Sequence, residues 1–290
     1  MKLVCIPAYN EERTIGLIIK ESLEHVDKVI VCDDGSTDNT AELASKNGAE
    51  VIHHPKNLGK GAAVKSLFSR AKELESEVTV TIDGDGQFLP SEIPKLMKQI
   101  LEKKSDIVLG YRFGIVSDIP KYRMFGNKVI AKMATIASDH KIRDAETGFR
   151  AYSLNAIKKI KFNSNSFGMD AEILVNASQN GLTISEENVT VIYNTGGKTS
   201  TKSAIPLFTD MASNLLQLIA IRYPLKIFGI PGLILICLGA IFSFLTIDYF
   251  NETRTLSLGY TLLGLASLIG GLMLLLMSIV LFSISKIKSD

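Results

Sequence analysis

Two long apolar stretches near the C-terminal end constrain the fold of this chain more than any other feature. No charged residue occurs from Ile227 to Ile247 or from Leu258 to Ile284, whereas most acidic and basic residues precede Pro224. Each stretch is longer than the ~18 apolar residues that indicate a membrane-spanning helix. The alternative is a core helix of a soluble domain. We predict two spans, at residues 227–247 and 258–284, that form a transmembrane hairpin.

Flanking charges predict the orientation of this hairpin. Basic residues lie outside both stretches, at Arg222, Lys226, Lys286 and Lys288, and the connector 248–257 contains Arg254 as its single cation. Because cytosolic flanks carry the excess of Lys and Arg, both termini and the large N-terminal region should be cytosolic. The sequence runs from Met1 directly into a strand-like segment, so no cleavable signal peptide is expected. These features predict a multi-pass integral membrane protein.

The first 110 residues alternate short apolar runs with helical patterns. This alternation is typical of an α/β domain with a mainly parallel sheet and helices on both faces. Strands are expected at Leu3–Ile6, Lys28–Cys32, Glu50–His53, Val78–Ile82 and Asp106–Leu109, and helices at Glu12–Leu23, Thr40–Asn47, Lys60–Leu74 and Pro90–Lys103. We predict a Rossmann-like domain over residues 1–203, a juxtamembrane amphipathic helix over 204–226 and the two spans within 227–290.

A pair of carboxylates follows the fourth expected strand, in the pentapeptide Asp83-Gly84-Asp85-Gly86-Gln87. Two carboxylates one residue apart at a strand end can hold a hard divalent cation, and this cation can neutralise a diphosphate. Asp-Gly pairs also favour ordinary turns, which is the alternative for this segment. Ligands of parallel sheets bind outside the carboxyl ends of the strands, where these residues are expected to lie.

Two more polar segments are expected at the same edge of the sheet. Asp33-Asp34-Gly35-Ser36-Thr37-Asp38 ends the second strand. We predict that Asp34 accepts hydrogen bonds from a nucleobase or ribose, and that Thr37 and Asp38 cap the next helix. Asn57-Leu58-Gly59-Lys60 begins a helix with a glycine and a lysine, which suits a phosphate bound at a helix N-terminus.

The segment Lys121–Ser138 combines an apolar stripe with basic residues. The stripe consists of Tyr122, Phe125, Val129, Met133 and Ile136, and the nearby cations are Lys121, Arg123, Lys128 and Lys132. This pattern predicts a basic amphipathic helix at a bilayer surface, and a core-facing helix is the alternative. The formal net charge of +2 argues against a polyanionic partner, so no nucleic acid is expected to bind.

These motifs, in this order, resemble those of the inverting family-two glycosyltransferases of GT-A fold. The resemblance extends to the polyprenyl-phosphate glycosyltransferases that are similar to dolichol-phosphate mannose synthase. It covers roughly the first two hundred residues. The matching segments are Pro7–Glu11, Asp33–Ser36, Asn57–Gly61, Asp83–Gln87, Gly110–Phe113 and Thr147–Arg150.

The resemblance implies a role for individual residues. It places Pro7, Tyr9, Glu11, Asp34, Lys60, Asp83 and Gly84 at the nucleotide sugar, Asp85 and Gln87 on a Mg²⁺ or Mn²⁺ ion, and Asp83, Asp85, Arg112 and Arg123 in catalysis. The family pattern has an arginine after the tyrosine of the last strand, but this chain has Asn194 after Tyr193. The cation for an acceptor phosphate is therefore left open between Arg123, Lys198 and Lys202.

The expected reaction is transfer of one sugar from a nucleotide-diphosphate sugar to a polyprenyl or dolichyl phosphate, with inversion at the anomeric carbon. One alternative is a glycosyltransferase that acts on a glycerolipid or other lipid hydroxyl and needs a carboxylate base. A second alternative is a non-catalytic subunit that binds sugar nucleotides. Small residues four apart, as at Ser267 and Gly271, permit close helix packing in the membrane, and a homo-oligomer through the spans is one result of such packing.

Overall fold

Two compact units make up the chain, Met1–Leu215 and Leu216–Asp290. The computed structural model describes residues 1–113, 121–138, 140–162, 168–192 and 204–287. It describes the side chains of these residues except at 121–125, 204–208, 210, 211, 214 and 285–287. The first unit contains a sheet covered by helices, and the second contains two long apolar helices.

A seven-stranded sheet forms the centre of the first unit. Its strands are β1 (Lys2–Ala8), β2 (Lys28–Asp33), β3 (Glu50–His53), β4 (Val78–Thr81), β5 (Ile107–Tyr111), β6 (Arg150–Ser153) and β7 (Ile184–Asn188). Their order is β3-β2-β1-β4-β6-β5-β7. Strand β6 runs antiparallel to β4 and β5, and the other neighbouring pairs are parallel. The predicted α/β fold with a mainly parallel sheet is confirmed.

Helices follow the first four strands, as the sequence predicted. They are α1 (Ile15–Leu23), α2 (Thr40–Lys46), α3 (Lys60–Glu73) and α4 (Ile93–Leu101), and α4 is preceded by a 3₁₀ turn at Pro90–Glu92. The unit continues with α5 (Lys121–Ser138), α6 (Leu154–Lys159), α7 (Met169–Gln179) and α8 (Ala204–Arg222), whose last residues belong to the second unit. Helix α1 begins later than predicted because the Glu11 carbonyl accepts from the N–H groups of Thr14 and Ile15 in a turn.

Apolar residues on both faces of the central strands form the core. Leu3–Ile6 in β1 and Val29–Cys32 in β2 are fully buried, which explains their continuous apolar sequence in a sheet covered on both sides. Helix α4 adds a stripe of buried residues at helical spacing, Ile93, Leu96, Met97 and Ile100. Each such side chain contributes about 1.5–3 kcal/mol through the removal of apolar surface from water.

Helix α5 uses a different face for packing than its predicted apolar stripe. Ile130, Ala134 and Ala137 are buried, and the helix packs against α7. Of the predicted stripe, Val129 and Met133 are half-buried, whereas Ile136 is 46% exposed. The side chains of the remaining stripe residues lie outside the described residues, so the bilayer-surface role of this helix stays a prediction.

The second unit is built from two helices that are long and apolar enough to cross a membrane. A π-helical turn at Leu225–Gly229 leads into α9 (Ile230–Thr253), and α10 spans Leu258–Ile287. The apolar segments have mean hydropathies of 2.4 and 2.5, and only 11% of the most apolar part of each is buried, in contrast to a core helix of a soluble protein. Helix α9 extends past the predicted end at Ile247, and Arg254 ends it in the left-handed conformation.

Close packing of α9 on α10 depends on glycines. A Cβ on Gly271 would lie 2.7 Å from the Gly232 carbonyl oxygen, and one on Gly239 would lie 2.6 Å from Leu268 Cγ. Of the predicted small-residue pair, Gly271 therefore serves packing within the hairpin. Of the cysteines, Cys5 and Cys32 are buried, whereas Cys237 is exposed on α9.

Candidate active site

The candidate active site lies at the carboxyl ends of β1, β2 and β4, where hydrogen bonds join the loops that follow these strands. The Asn10 N–H donates to Ser36 Oγ (2.9 Å), and the Thr37 N–H donates to Asn10 Oδ1 (2.8 Å). Thr14 Oγ1 donates to the Gly84 carbonyl (2.5 Å). The loops that follow β1, β2 and β4 therefore meet at this edge, next to the ends of neighbouring parallel strands.

Three carboxylates come together between the first and fourth strands. Burial raises the pKa of Glu11 to about 8, with a further contribution from the charges of Asp85 and Asp83. Burial also raises the pKa of Asp85 to about 6, and the Asp83 charge adds to the shift. Asp85 Oδ1 accepts the N–H of Gln87 (3.0 Å), which fixes the orientation of this carboxylate in the turn.

Burial and the mutual repulsion of these carboxylates both disfavour their ionised forms, and a divalent cation would stabilise the ionised forms. Within the described part of the chain, no three His, Cys, Asp or Glu side chains form a complete metal centre. Asp83 and Asp85 therefore fit a cation that takes its other ligands from a diphosphate and water, as Mg²⁺ commonly does. Gln87 as a further ligand stays a prediction, because its hydrogen bonds to Asp85 and Ile192 involve its backbone.

Lys60 faces the carboxylate pair from the N-terminal end of α3. Its Nζ lies 2.7 Å from Asp83 Oδ1, and its side chain is 18% exposed. Burial alone lowers the pKa of Lys60, but the charges of Asp83 and Asp170 outweigh it and hold the pKa above its usual value. Lys60 is thus a permanent cation beside Asp83.

Asp34 is buried, with 3% of its surface exposed. Asp34 Oδ1 accepts from His54 Nδ1 (2.7 Å) and from the Leu58 N–H (3.0 Å), and Oδ2 accepts from the Gly59 N–H (2.7 Å). The carboxylate thus occupies the N–H groups at the start of α3 that the sequence suggested for a phosphate. Direct contact of Asp34 with a nucleotide stays a prediction.

Gly148 brings the loop before β6 against the carboxylate of Asp83. A Cβ at this position would overlap both Asp83 oxygens. Buried Arg150 holds the loop in place by donating to the carbonyls of Thr147 (2.8 Å), Ala145 (2.8 Å) and Asp170 (3.0 Å). The Thr147–Arg150 motif therefore shapes the site through backbone contacts.

Arg112 lies at the end of β5 and is held by acidic residues. Its Nε and one terminal nitrogen donate to the two oxygens of Asp144, each at 2.7 Å, and the other carboxylate nearby, Glu146, lies 3.9 Å away. Such a bidentate pair is rigid. Arg112 therefore orders the loop 144–146, and its role in catalysis stays a prediction.

Two carboxyl groups near the site were not identified from the sequence. Glu146 has a pKa of about 7, because burial and the charges of Asp144 and Asp170 outweigh the nearby Arg112. Asp170 lies at the start of α7, and burial raises its pKa. No spacing rule connects Asp170 to Asp83, since the two come close only in the folded chain. The motif Thr147–Arg150 was the one sequence signal close to Glu146.

The structure describes some of the other predicted site residues but not all of them. Pro7 lies with Lys60, Asp83, Gly148 and Asp170 around a small cavity. Tyr9, which follows β1, is 43% exposed. A Cβ on Gly84 would contact Glu11 Cγ at 3.4 Å, so this turn lies close to β1. Lys198, Lys202 and the side chain of Arg123 lie outside the described residues.

Curated proteins similar to this chain include several lipid-linked sugar transferases. A UDP-N-acetylglucosamine–dolichyl-phosphate N-acetylglucosaminyltransferase from Methanococcus voltae is 28% identical over 211 residues, covering 65% of this chain and 84% of that protein. A dolichyl-phosphate hexose transferase from Haloferax volcanii is 30% identical, covering 63% and 79%. A polyprenol monophosphomannose synthase from Mycolicibacterium smegmatis is 28% identical, covering 65% and 76%.

Solved structures similar to this chain include glucosyl-3-phosphoglycerate synthase from Mycobacterium tuberculosis. Its complex with Mn²⁺, UDP and phosphoglyceric acid superposes with a TM-score of 0.60 at 21% identity, covering 76% of this chain and 78% of that one. This similarity confirms the predicted GT-A fold. The family model described as glycosyl transferase family 2 matches residues 3–161, which is more than half of the sequence. The chain therefore belongs to glycosyl transferase family 2 and is a glycosyltransferase.

Proposed function

We propose that the enzyme transfers a single sugar from a nucleotide-diphosphate sugar to a polyprenyl or dolichyl phosphate at the cytosolic face of a membrane. An acceptor phosphate oxygen attacks the anomeric carbon, the bond from that carbon to the diphosphate breaks, and the nucleotide diphosphate leaves with the electron pair. Attack from the opposite face inverts the anomeric configuration. The observation that carries the proposal is the Asp83, Asp85 and Lys60 cluster in a chain with two exposed apolar helices.

Different residues would bind the metal ion and the nucleotide of the donor. Asp85, with Asp83 and Gln87, would hold Mg²⁺ or Mn²⁺, and the ion would neutralise charge on the departing diphosphate. Lys60 offsets the charge of Asp83 through their ion pair. Pro7, Tyr9, Glu11 and Gly84 line the nucleotide site. The relatives with dolichyl-phosphate and polyprenol names, and the similar structure with Mn²⁺ and UDP, support this division.

The acceptor is expected at the other side of the carboxylate pair. A phosphate is already anionic near neutral pH, so its attack requires no strong general base. We propose Arg123, Lys198 or Lys202 as its binding cations, with Arg112 ordering the adjacent loop through Asp144. The apolar hairpin would keep the site at the interface, where the phosphate of a lipid-soluble polyprenyl chain lies.

One observation favours a second candidate function, glycosylation of a lipid hydroxyl. Such an acceptor needs a base near the attacking oxygen. Glu146 has a pKa of about 7, which suits a base near neutral pH, and it lies two residues before Gly148 in the loop that touches Asp83. The relatives' names favour the phosphate acceptor, which remains the main proposal.

The two candidates are separated by an acceptor panel. The purified full-length protein with Mn²⁺ or Mg²⁺ is incubated with UDP- and GDP-sugars and with polyprenyl phosphate, the matching polyprenol or diacylglycerol, and the lipid products are weighed by mass spectrometry. We expect a sugar adduct on the phosphate alone. Equal glycosylation of the polyprenol or diacylglycerol would favour the second candidate. No product with any pair, despite nucleotide binding, would indicate a non-catalytic subunit.

A further inference from the structure

A chain of buried hydrogen bonds connects helix α3 to the turn that carries Lys60. It runs from Ser66 through His54 to Asp34 and from there to the N–H groups of Leu58 and Gly59. We propose that His54 is a positioning residue for the nucleotide site, which acts by holding Asp34 in the orientation that fixes Lys60 against Asp83. The inference rests on the proposed function, because it concerns affinity for the donor's nucleotide diphosphate.

Asp34 serves three protein donors. Both of its oxygens accept hydrogen bonds, from one imidazole and two backbone N–H groups, at 2.7–3.0 Å. The two N–H groups belong to Leu58 and Gly59, directly before the start of α3, where a negative charge also interacts favourably with the helix dipole. Asp34 is therefore a positioning residue for the turn that carries Lys60.

His54 is a buried residue that bridges Asp34 and Ser66. Only 8% of it is exposed. Because a carboxylate can only accept, Nδ1 of His54 carries the proton in the 2.7 Å bond to Asp34. In the neutral ring Nε2 is then an acceptor, and it lies 2.9 Å from Ser66 Oγ and 3.6 Å from Cys32 Sγ. Both ring nitrogens are thus engaged, which fixes the ring plane and the carboxylate beyond it.

The turn at Leu58 and Gly59 transmits the orientation of the Asp34 carboxylate to Lys60. Gly59 has a φ of 96°, and Lys60 is the first residue of α3. On its other side the turn packs backbone against backbone, because a Cβ on Gly35 would lie 2.5 Å from the Lys56 carbonyl carbon. Asp34 therefore closes a rigid turn, and Lys60 Nζ emerges from it 2.7 Å from Asp83. Loss of the His54 bond leaves Asp34 Oδ1 with the Leu58 N–H as its remaining donor and loosens the turn at Leu58.

Two substitutions of His54 separate positioning from simple burial. In His54→Asn the amide nitrogen takes the place of Nδ1 and retains a donor to Asp34, whereas in His54→Gln the amide lies nearer the position of Nε2. His53→Gln is the matched control, because His53 is the preceding residue, is mostly exposed and pairs with Asp33. Affinity for UDP and GDP with Mn²⁺ is measured by calorimetry. We expect His54→Gln to weaken binding by roughly 10-fold, the scale of one lost hydrogen bond to a buried carboxylate, and His54→Asn to restore most of it.

A double-mutant cycle tests whether His54 acts through Lys60. If it does, adding His54→Gln to Lys60→Met weakens nucleotide binding no further than Lys60→Met alone. Independent effects in this cycle, or wild-type affinity in His54→Gln, would overturn the proposal. If His54→Gln does not fold, Ser66→Ala removes the far end of the chain and is measured in its place, with a smaller loss expected.

Hydrogen exchange of residues 57–60 gives a readout that needs no nucleotide. We expect faster exchange at Leu58 and Gly59 in His54→Gln than in His54→Asn, the control or the wild type. Unchanged exchange would refute the positioning role. If the wild-type protein binds neither UDP nor GDP, the proposed function fails, while the exchange result still decides whether His54 orders the turn.

Discussion

Gly148 lies directly against the carboxylate of Asp83, so close that a Cβ on Gly148 would overlap both carboxylate oxygens. The contact requires a residue without a side chain at position 148. Arg150 holds the loop in place by donating hydrogen bonds to three backbone carbonyls. The loop has little freedom to retreat. Asp83 is therefore held between Gly148 on one side and Lys60 on the other.

Gly148→Ala should abolish most activity without unfolding the protein. The added methyl forces Asp83 to rotate away from Lys60 and from the position in which it can serve the metal. We expect a loss of at least about 100-fold in kcat/KM, since a displacement of ~1 Å at a site can cost this much. Gly259→Ala, at a glycine with open space around it, is the matched control. Near-normal activity of Gly148→Ala would show that the contact with Asp83 is not needed.

Lys60→Met should lower the stability of the first unit. Lys60 compensates Asp83 and Asp170, and its removal leaves buried Asp170 and partly exposed Asp83 without their shared cation. Removing one partner of a fully buried ion pair costs about 3–5 kcal/mol, and the 25% exposure of Asp83 reduces this loss. Chemical unfolding of the variant measures this loss. Lys72→Met on the exposed face of the same helix is the control and should change stability by less than ~0.5 kcal/mol.

Asp85→Asn should reduce binding of Mn²⁺ and turnover together. The substitution retains the shape of the side chain but removes the negative charge that the cation requires. Loss of an outer-shell partner already costs ~10–100-fold in metal affinity, so loss of a ligand should cost more. Electron paramagnetic resonance of Mn²⁺ with UDP measures binding apart from catalysis. An Asp85→Asn enzyme that binds Mn²⁺ as the wild type does would remove Asp85 from the metal site.

The metal-free protein should become less stable as the pH rises from about 5 to 8. Glu11 has a pKa of about 8 in the folded protein, whereas the unfolded chain releases this proton near the ordinary value of 4.5. The folded state thus binds more protons over this interval, and its stability falls as the pH increases. Thermal unfolding at several pH values should show a steeper decline for the wild type than for Glu11→Gln. Added Mn²⁺ should reduce the decline, since it favours the ionised carboxylates. Parallel profiles for the two proteins would contradict this account.

The sequence predicted the elements of the sheet better than their arrangement. Short apolar runs in the local sequence identified β1 to β5. It did not identify β6 as a strand, although Thr147–Arg150 was recognised as a motif. Insertion of β6 between β4 and β5 depends on contacts between residues far apart in the chain, as in the bond from Thr81 to the Gly148 carbonyl 67 residues later.

The sequence also identified which residues collect at the site but not how they interact. Motif order placed Asp34, Lys60 and Asp83 at one edge of the sheet. Whether a side chain there meets a ligand or another protein group depends on contacts between loops. The sequence did not connect His54 with its partners Asp34 and Ser66, because the three residues lie on different elements. Nor did it predict the pairing of Arg112 with Asp144, because Asp144 comes 32 residues later.

Labelling of position 251 should establish the topology of the hairpin. Helix α9 continues to Thr253, so the connector is shorter than the charge pattern suggested, and Asn251 lies in the last turn before Arg254. Fewer cations lie at this end of α9 than at its other end, where Arg222 and Lys226 precede the helix. This difference predicts that the connector faces away from the cytosol.

Asn251→Cys is made in a Cys237→Ser background, because Cys237 is exposed on α9 and would add its own signal. We expect a membrane-impermeant thiol reagent to label intact cells at position 251. A matched cysteine at Lys46, exposed at the end of α2 in the first unit, should react only after the cells are opened. Labelling of both positions only after lysis would refute the hairpin, because the connector would then lie on the same side of the membrane as the active site.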